Sequence, residues 1–584
     1  MIKQRLEQLR TLMKREGIDV YYFNTSDYHM SEYVADFFHT IAYFSNFSGS
    51  LATLLISQKQ AVIFVDGRYH LQADKQCLPY GIKVMKLGTK GALDPIEYIE
   101  KNYANKVVGL DGRRTSIAFA NKLLDRNIKI KNIDIYSGII ENRSPLSDSN
   151  VYELENKYTG LSRKKKLSLV SYCLGDKVHI INNLESIAYL LNMRGNDIRN
   201  TPVFYAYLVL MDGKARLFIN RSRLTGRIMK SLEADDVAVD EYDAYYDFLS
   251  HIKNRRITLD DNRVNYASFL KIEKNNRISF ARSIVEDMKA IKNNVEQKNA
   301  QQAHIYDGVV MVRFLKWLDE VDKKTITEYD AARKIDELRT DYKAIDQSFN
   351  SIIAYKENGA VLHYSPDPKK SKRLDNEGML LFDTGGQYFE GTTDVTRTIA
   401  LGEVTPEMKM HYTTVLKSLF NLSEVTFLKG LSGNQLDIMA RKDIWALGID
   451  YRCGTGHGVG HMLSVHEFPP NIRYGKTDND SEKIEIKPGM IFSDEPGIYL
   501  DNRYGIRLEN MLICQKYCEN EYGTFLKFDT LTLVPFDLKL IDKDYLDEAT
   551  IKALNSYHER VRTTLAPYLN DDEVRFLKEK TEKI

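Results

Sequence analysis

Gly378-Met-Leu-Leu-Phe-Asp383-Thr-Gly-Gly-Gln-Tyr-Phe-Glu-Gly-Thr-Thr-Asp394-Val-Thr-Arg-Thr-Ile399 consists of two apolar, β-branched runs around a Gly-Gly turn. That pattern predicts an antiparallel hairpin with Asp383 and Asp394 on neighbouring strands. Downstream, Gly454-Thr-Gly-His457-Gly-Val-Gly-His461 surrounds an imidazole with glycines, which let a backbone come close to a bound ion. Ser493-Asp-Glu495-Pro-Gly497 and Gly505-Ile-Arg-Leu-Glu509-Asn510 read as the ends of a second strand pair, with Asp501-Asn502 in the turn between them. Four carboxylates and one imidazole form a hard, oxygen-rich donor set with more charge than one divalent ion needs. The set points to two manganese, cobalt or zinc ions and to metal-assisted hydrolysis, because a pair of ions about 3.5–4 Å apart holds a hydroxide at neutral pH and polarises a carbonyl. A lone aspartate in a hairpin is ordinarily a turn or cap residue; here five positions would have to coincide.

The rest of the composition is that of an ordinary globular protein. The 584 residues are 43% hydrophobic and 28% charged, enough chain for three or four domains. A net charge of +1, from 82 basic and 81 acidic residues, provides no global field to collect nucleic acid or a membrane surface. The runs Arg163-Lys-Lys-Lys166 and Lys369-Lys-Ser-Lys-Arg373 lack interleaved aromatics and phosphate-cradling glycines, and read as solvated faces. Cys77, Cys173, Cys453, Cys514 and Cys518 are odd in number and scattered, which argues against a disulfide framework and for a reducing, cytoplasmic location. The charged start Met1-Ile-Lys-Gln-Arg and the absence of any apolar run near 18 residues predict neither a secretory nor a transmembrane segment.

In chain order, Ile2, Leu6, Leu9 and Met13 predict a helix that Gly17 stops, followed by a strand at 20–23 and a strand pair at 51–56 and 61–65. An α/β pattern continues to about residue 155. Residues 156–292 repeat the plan: 203–211 and 215–219 flank Asp212-Gly213, and Arg256-Ile-Thr-Leu-Asp260 echoes Val107-Val-Gly-Leu-Asp111. Helices are then expected from Val295 to Val321, from Tyr329 to Leu338, from the Thr405 cap and Pro406, and near 436–447. His363 is placed in a strand before the loop Ser365-Pro-Asp-Pro368, and a helical appendage follows Pro535.

The order Asp383, ten residues, Asp394, then His457, then Glu495, thirteen residues, Glu509 resembles the pita-bread metallopeptidases. Within that group Val361-Leu-His363-Tyr-Ser-Pro, Gly454-Thr-Gly-His457, Val465-His466-Glu and Asp494-Glu-Pro-Gly look like aminopeptidase P, the Xaa-Pro aminopeptidases, nearly end to end and in the long form. The resemblance implies an α/β and α+β multidomain protein. Two creatinase-like α/β domains, 1–155 and 156–292, would precede a pita-bread catalytic domain at 293–535 and a helical C-terminal extension at 536–584. It implies further that Asp394 and Glu509 bridge two ions, that Asp383 chelates one, and that His457 and Glu495 complete the shells. Glu495 would be the base for the nucleophilic hydroxide, and His363 and His466 would hold substrate and stabilise the tetrahedral oxyanion. The metal pair expected is manganese, with cobalt or zinc as alternatives.

Two positions bear on specificity. Arg68, in Asp66-Gly-Arg68-Tyr, matches a family arginine that reaches into a neighbouring subunit's cleft, so the resemblance implies a homodimer. Family members in animals and enterobacteria place a histidine four residues before the metal-binding one, where this chain has Cys453. A neutral thiol there is expected to be a wall of the proline pocket rather than a nucleophile. The implied substrates are peptides with proline in second position, cleaved at the N-terminal Xaa-Pro bond by a metal-bound hydroxide, with no nucleic acid or membrane partner. The alternatives are a prolidase restricted to dipeptides, which uses the same five ligands, and a pita-bread interaction module that binds protein without metal.

Overall fold

A computed structural model describes residues 1–474 and 483–584. The chain divides into two compact units, Met1–Glu286 and Asp287–Ile584.

In the first unit, helix Ile2–Arg15 buries Ile2, Leu6, Leu9 and Met13 along one stripe, and Gly17 turns the chain at φ +66°. The six strands that follow lie in the order Lys83–Lys86, Ala61–Val65, Thr53–Ser57, Val20–Asn24, Val107–Leu110 and Lys129–Asn132. A second sheet runs Val237–Asp240, Lys214–Phe218, Tyr207–Met211, Val178–Ile181, Arg256–Leu259 and Arg277–Phe280. Both sheets share one pattern across the set: a parallel pair, two antiparallel pairs, then two parallel pairs. Arg256–Leu259 thus occupies in the second sheet the place of Val107–Leu110 in the first, as the sequence echo predicts. The helices after these two strands, Ile117–Leu124 and Tyr266–Ile272, carry N-caps Ser116 and Asn265. The two cap residues form a β-bridge with each other, so the repeats meet through equivalent positions.

The basic run at 163–166 is solvated only in its middle. Arg163 and Lys166 are buried: Arg163 Nε donates to Leu191 O, and Lys166 Nζ to Tyr189 O and Asn192 Oδ1. They bond carbonyls at the end of helix Leu184–Leu191, a tertiary role that a run of like charges does not announce. Lys369 and Lys370 are exposed, as expected of a solvated face.

The second unit begins with helix Asn294–Glu320, closed by an Asn293/Glu296 capping box, and helix Glu328–Thr340. Their apolar faces, Val310, Phe314, Ala331 and Ile335, pack with Ile353, Leu380, Phe382 and Val395. The latter residues belong to a three-stranded antiparallel sheet of Ile352–Tyr355, Met379–Thr384 and Val395–Ala400. A six-stranded sheet runs Phe427–Leu428, Gly523–Thr530, Asn510–Asn520, Ile491–Asp494, Gly456–Gly458 and Glu467–Ile472. Helices Pro406–Ser423, capped by Thr405, and Gly433–Ala446 pack on each other and on this sheet's core. Cys514 and Cys518 lie on strand Asn510–Asn520, and all five cysteines of the chain are free. The final helices, Glu548–Leu565 and Asp571–Lys580, are not a loose appendage. Leu554, Tyr557, Val561, Leu565 and Leu577 share one core with Val309, Tyr412, Leu416 and Ile506.

Candidate metal centre

The hairpin predicted from 378–399 forms with Asp383 opposite Thr396 and Thr384 opposite Val395. Asp394 immediately precedes its strand rather than lying on it. The connecting residues fold back as a second small ladder, Gly386–Tyr388 against Gly391–Thr392, which turns Asp394 in beside Asp383. Glu495 and Glu509 occupy a junction of two ladders. Asp494 pairs with Asn510 on one side, and Gly497 pairs with Arg507 on the other. The two glutamates are among the four residues left between these ladders, with Pro496 and Leu508.

His457 sits mid-strand in Gly456–Gly458, between Ile491–Asp494 and Glu467–Ile472. Its flanking glycines serve strand packing: a Cβ on Gly456 would meet Ser493 O at 1.9 Å and one on Gly458 would meet Glu467 O at 2.3 Å. The close approach they permit here is to neighbouring backbone. His457 Nδ1 lies 3.0 Å from Gly458 O, which favours a proton on Nδ1 and gives Nε2 the lone pair that a cation would take. Nε2 is 3.6 Å from Asp394 Oδ2 and 3.5 Å from Glu495 Oε1. One donor atom each of Asp394, His457 and Glu509 falls within a mutual 4.8 Å.

The electrostatics ask for cations. Among the described residues Arg507 is the only arginine or lysine ion-paired to a carboxylate of this set, its Nη2 lying 2.5 Å from Asp383 Oδ2. Asp383 Oδ1 is buried and has no hydrogen-bond partner. Burial, then repulsion from Glu509, Asp383 and Glu495, holds Asp394 well above the usual carboxylate range. Glu509 is raised in the same way by burial and by Glu495 and Asp383. Burial pushes Glu495 up to about 7, with Arg507 opposing and Asp383 adding to the rise. A buried acidic set that protonates for want of positive charge, with an orphaned oxygen facing it, fits a site for divalent cations.

Several supporting residues carry no motif and escaped the sequence. Thr396 Oγ1 donates to Glu509 Oε2 at 2.8 Å and accepts from Arg507 Nε at 3.1 Å. Ser493 Oγ bonds Glu495 Oε1 and receives the His457 amide. Arg507 could have been found, because it lies two residues before Glu509 and alternate residues of extended chain share a face. Thr396 bears the same relation to Asp394.

The remaining expected residues divide between near and remote. His466 lies beside the cluster, its ring centroid 4.3 Å from that of His457 at 73°, because Glu467 pairs with Gly458 in the next strand. That strand is anchored by buried ion pairs, Glu467 Oε1 to Lys292 Nζ at 2.5 Å and Oε2 to Lys289 Nζ at 3.6 Å. His363 lies in a turn and not in a strand, since the 3-10 helix Lys356–Ala360 ends just before it. Gly359 and Gly505 are in backbone contact too tight for any side chain on Gly505, which sets the His363 segment against the Arg507 strand. Cys453 is half-buried against the core that includes Tyr451 and Ile498, and its carbonyl accepts from Arg441. Arg68 belongs to the first unit, where it makes a two-point pair with Asp66, Nε to Oδ1 at 3.1 Å and Nη2 to Oδ2 at 2.8 Å.

Comparison with known proteins bears on this geometry. Residues 298–516 match the model of metallopeptidase family M24, and 524–584 that of the C-terminal region of peptidase M24. Residues 5–142 and 142–296 each match a creatinase/prolidase N-terminal domain. A probable Xaa-Pro aminopeptidase P of Talaromyces marneffei is 35% identical over 100% of this chain and 92% of its own length. One of Sordaria macrospora is 33% identical over 98% of this chain and 97% of its own. Among solved structures, X-prolyl aminopeptidase from Caenorhabditis elegans, described as a cytosolic enzyme with a di-nuclear active site, superposes with a TM-score of 0.94. It is 29% identical and covers 100% of both chains.

Proposed function

This chain belongs to the Xaa-Pro aminopeptidase P family of M24 metallopeptidases, and from that premise we propose how its residues perform the reaction. It is a metallo-aminopeptidase that hydrolyses the N-terminal Xaa-Pro bond of peptides, with two divalent metals in its site. The observation that carries the assignment of ligands is the convergence of Asp394, His457 and Glu509 within 4.8 Å. Asp383 and Glu495 join them, Asp383 with a free buried oxygen and Glu495 beside His457. The oxygen-rich set favours manganese over softer alternatives. Two such ions, when bound, supply a water of lowered pKa as nucleophile and a Lewis acid for the carbonyl.

The protein's own groups do the rest. Glu495, raised to about 7 in the metal-free protein, is the base that holds the nucleophile's proton and passes it to the leaving proline nitrogen. Arg507 holds Asp383 in one orientation through its two-sided contact with Thr396 and Asp383. His466, beside His457, and His363 donate to the oxyanion as the carbonyl becomes tetrahedral. Proline in second position has no amide hydrogen and a fixed φ, so a site for its ring needs shape and no acceptor; Cys453 is a wall of that pocket.

The domains are 1–155, 156–292, 293–535 and 536–584, supported by two sheets of like order before residue 287. Arg68 serves substrate binding, and the active form is a homodimer, for which the exposed Ile438, Trp445 and Tyr474 offer an apolar face. The location is cytoplasmic, in keeping with five free cysteines. No described helix is long and apolar enough to cross a membrane. A charge of +1 supports no nucleic-acid or membrane partner. The test is release of the N-terminal residue from Arg-Pro-Pro and Arg-Ala-Pro by chelated protein with and without manganese. Manganese-dependent cleavage of the first peptide alone is expected; cleavage of neither, with no metal retained, would favour the interaction module.

A further inference from the structure

Arg397 is fully buried in the second unit. Among the described residues no carboxylate lies within ion-pair distance of it. Its guanidinium is spent on carbonyl oxygens and one hydroxyl from four stretches of chain. Nη1 donates to Thr396 O at 2.9 Å and to Glu509 O at 2.5 Å. Nη2 donates to Asn510 Oδ1 at 2.8 Å, Val534 O at 2.8 Å and the Tyr557 hydroxyl at 2.9 Å. Nε reaches Pro535 O at 3.3 Å, and the guanidinium stacks 4.0 Å from the Phe536 ring centroid.

The C-terminal helix closes this arrangement. The Tyr557 hydroxyl accepts from Val534 N at 3.1 Å and donates to Val534 O at 2.8 Å. His558 Nε2 accepts from Phe536 N at 3.0 Å, which requires a neutral ring with its proton on Nδ1, and burial keeps that ring neutral by lowering its pKa to about 3. Asp537 Oδ2 accepts from Ala400 N at 2.7 Å. Residues 534–537 are thereby clamped between helix Glu548–Leu565 and the strand that follows Asp394.

Among the peptide groups that Arg397 grips are the carbonyls of Glu509 and of Thr396, whose hydroxyl holds Glu509 Oε2. A buried cation that fixes main chain is geometrically demanding, because a planar fork cannot follow a shifted partner without losing bonds to the others. We propose that Tyr557 is a positioning residue of the metal centre: acting through Arg397, the C-terminal helix fixes the backbone that carries Glu509 and so sets the protein's affinity for divalent ions. This rests on the reading of Glu509 as a ligand.

The test is calorimetric titration of manganese into chelated full-length protein, comparing wild type, Tyr557→Phe and Val561→Ala. Val561 is fully buried one turn along the same helix and contacts none of these groups through a polar atom, so its truncation weakens the helix without unmaking the Arg397 network. Tyr557→Phe is expected to weaken manganese binding about 10-fold, the lower end for supporting partners of metal ligands, while Val561→Ala binds as wild type does. Wild-type affinity in Tyr557→Phe, or an equal loss in Val561→Ala, would overturn the proposal and leave the helix a packing element only. Failure of the wild type to take up manganese would instead overturn the ligand assignment itself, and this inference with it.

Discussion

In the metal-free protein the acidic cluster should make the fold less stable as pH rises, and Glu495→Gln isolates one member's share. Burial raises Glu495 from its ordinary 4.5 to about 7. Each tenfold change in proton affinity corresponds to about 1.4 kcal/mol, so the charged form costs roughly 3 kcal/mol in the folded state. Below pH 4.5 both folded and unfolded chains hold the proton. Between 4.5 and 7 the folded chain holds it and the unfolded chain does not. Stability due to this group is therefore complete at low pH and is lost as pH rises through 7. The buried histidines His29, His179, His304, His411 and His558 act in the opposite sense, their lowered values making the fold less stable as pH falls. They are common to both proteins, so the wild type minus Glu495→Gln difference cancels them. Removing the Glu495 charge also relieves Asp394 and Glu509, which adds to the difference in the same direction. The assay is the thermal midpoint in excess chelator from pH 5 to pH 8. At about 2 °C per kcal/mol for a unit of this size, the wild type should lose about 6 °C relative to the variant across that range. Manganese should abolish the trend and release protons on binding, because the ligands must be charged to coordinate. A difference that is flat or rises with pH would show that the cluster is not held protonated by burial and mutual repulsion.

Three further outcomes follow from single contacts. Lys292→Met leaves Glu467 with Lys289 alone at 3.6 Å; the expected cost is about 3 kcal/mol in urea denaturation, the lower end for breaking a buried pair, and a loss below about 1 kcal/mol would mean that Lys289 suffices. Asp394→Asn removes a charged ligand, so bound manganese measured by atomic absorption should drop by at least about half, and wild-type stoichiometry would show that Asp394 does not bind the metal. Cys453→Ala should raise KM for Arg-Pro-Pro by roughly 10-fold at most, the lower end for a missing apolar group in a pocket, while Arg-Ala-Pro stays uncleaved; equal turnover of both peptides would give Cys453 a larger part in selectivity than a wall.

The five ligand candidates were legible because each is announced by its neighbours. Apolar runs on either side of Gly385-Gly386 specify a hairpin, which brings Asp383 and Asp394 to the same end of one strand pair, while the small ladder of Gly386–Tyr388 with Gly391–Thr392 turns Asp394 inward. The same locality made the repeated sheet visible in Val107–Asp111 and Arg256–Asp260, and placed helix starts near Val295 and at Thr405. Local pattern also misled in places. His363 follows an apolar pair that suggests a strand, but tight packing of Gly359 on Gly505 makes it a turn. Arg163 and Lys166 look solvated until the carbonyls of residues 189 and 191 arrive beneath them.

What the sequence by itself determined is the type and order of the chemistry: hard oxygen donors, a histidine among glycines, and the hairpin and strand ends that carry the carboxylates. What only the tertiary structure decided is how that chemistry is held. Arg507 on Asp383, Lys292 on Glu467, and Arg397 linking Glu509 to Tyr557 join residues 124, 175 and up to 160 positions apart. Side-chain type and periodicity encode interactions over a turn or a strand pair, whereas partners brought together by folding obey only distance and charge. The C-terminal helix illustrates the division: its apolar stripe predicts that it packs, and only its place in the fold connects Tyr557 to the metal centre.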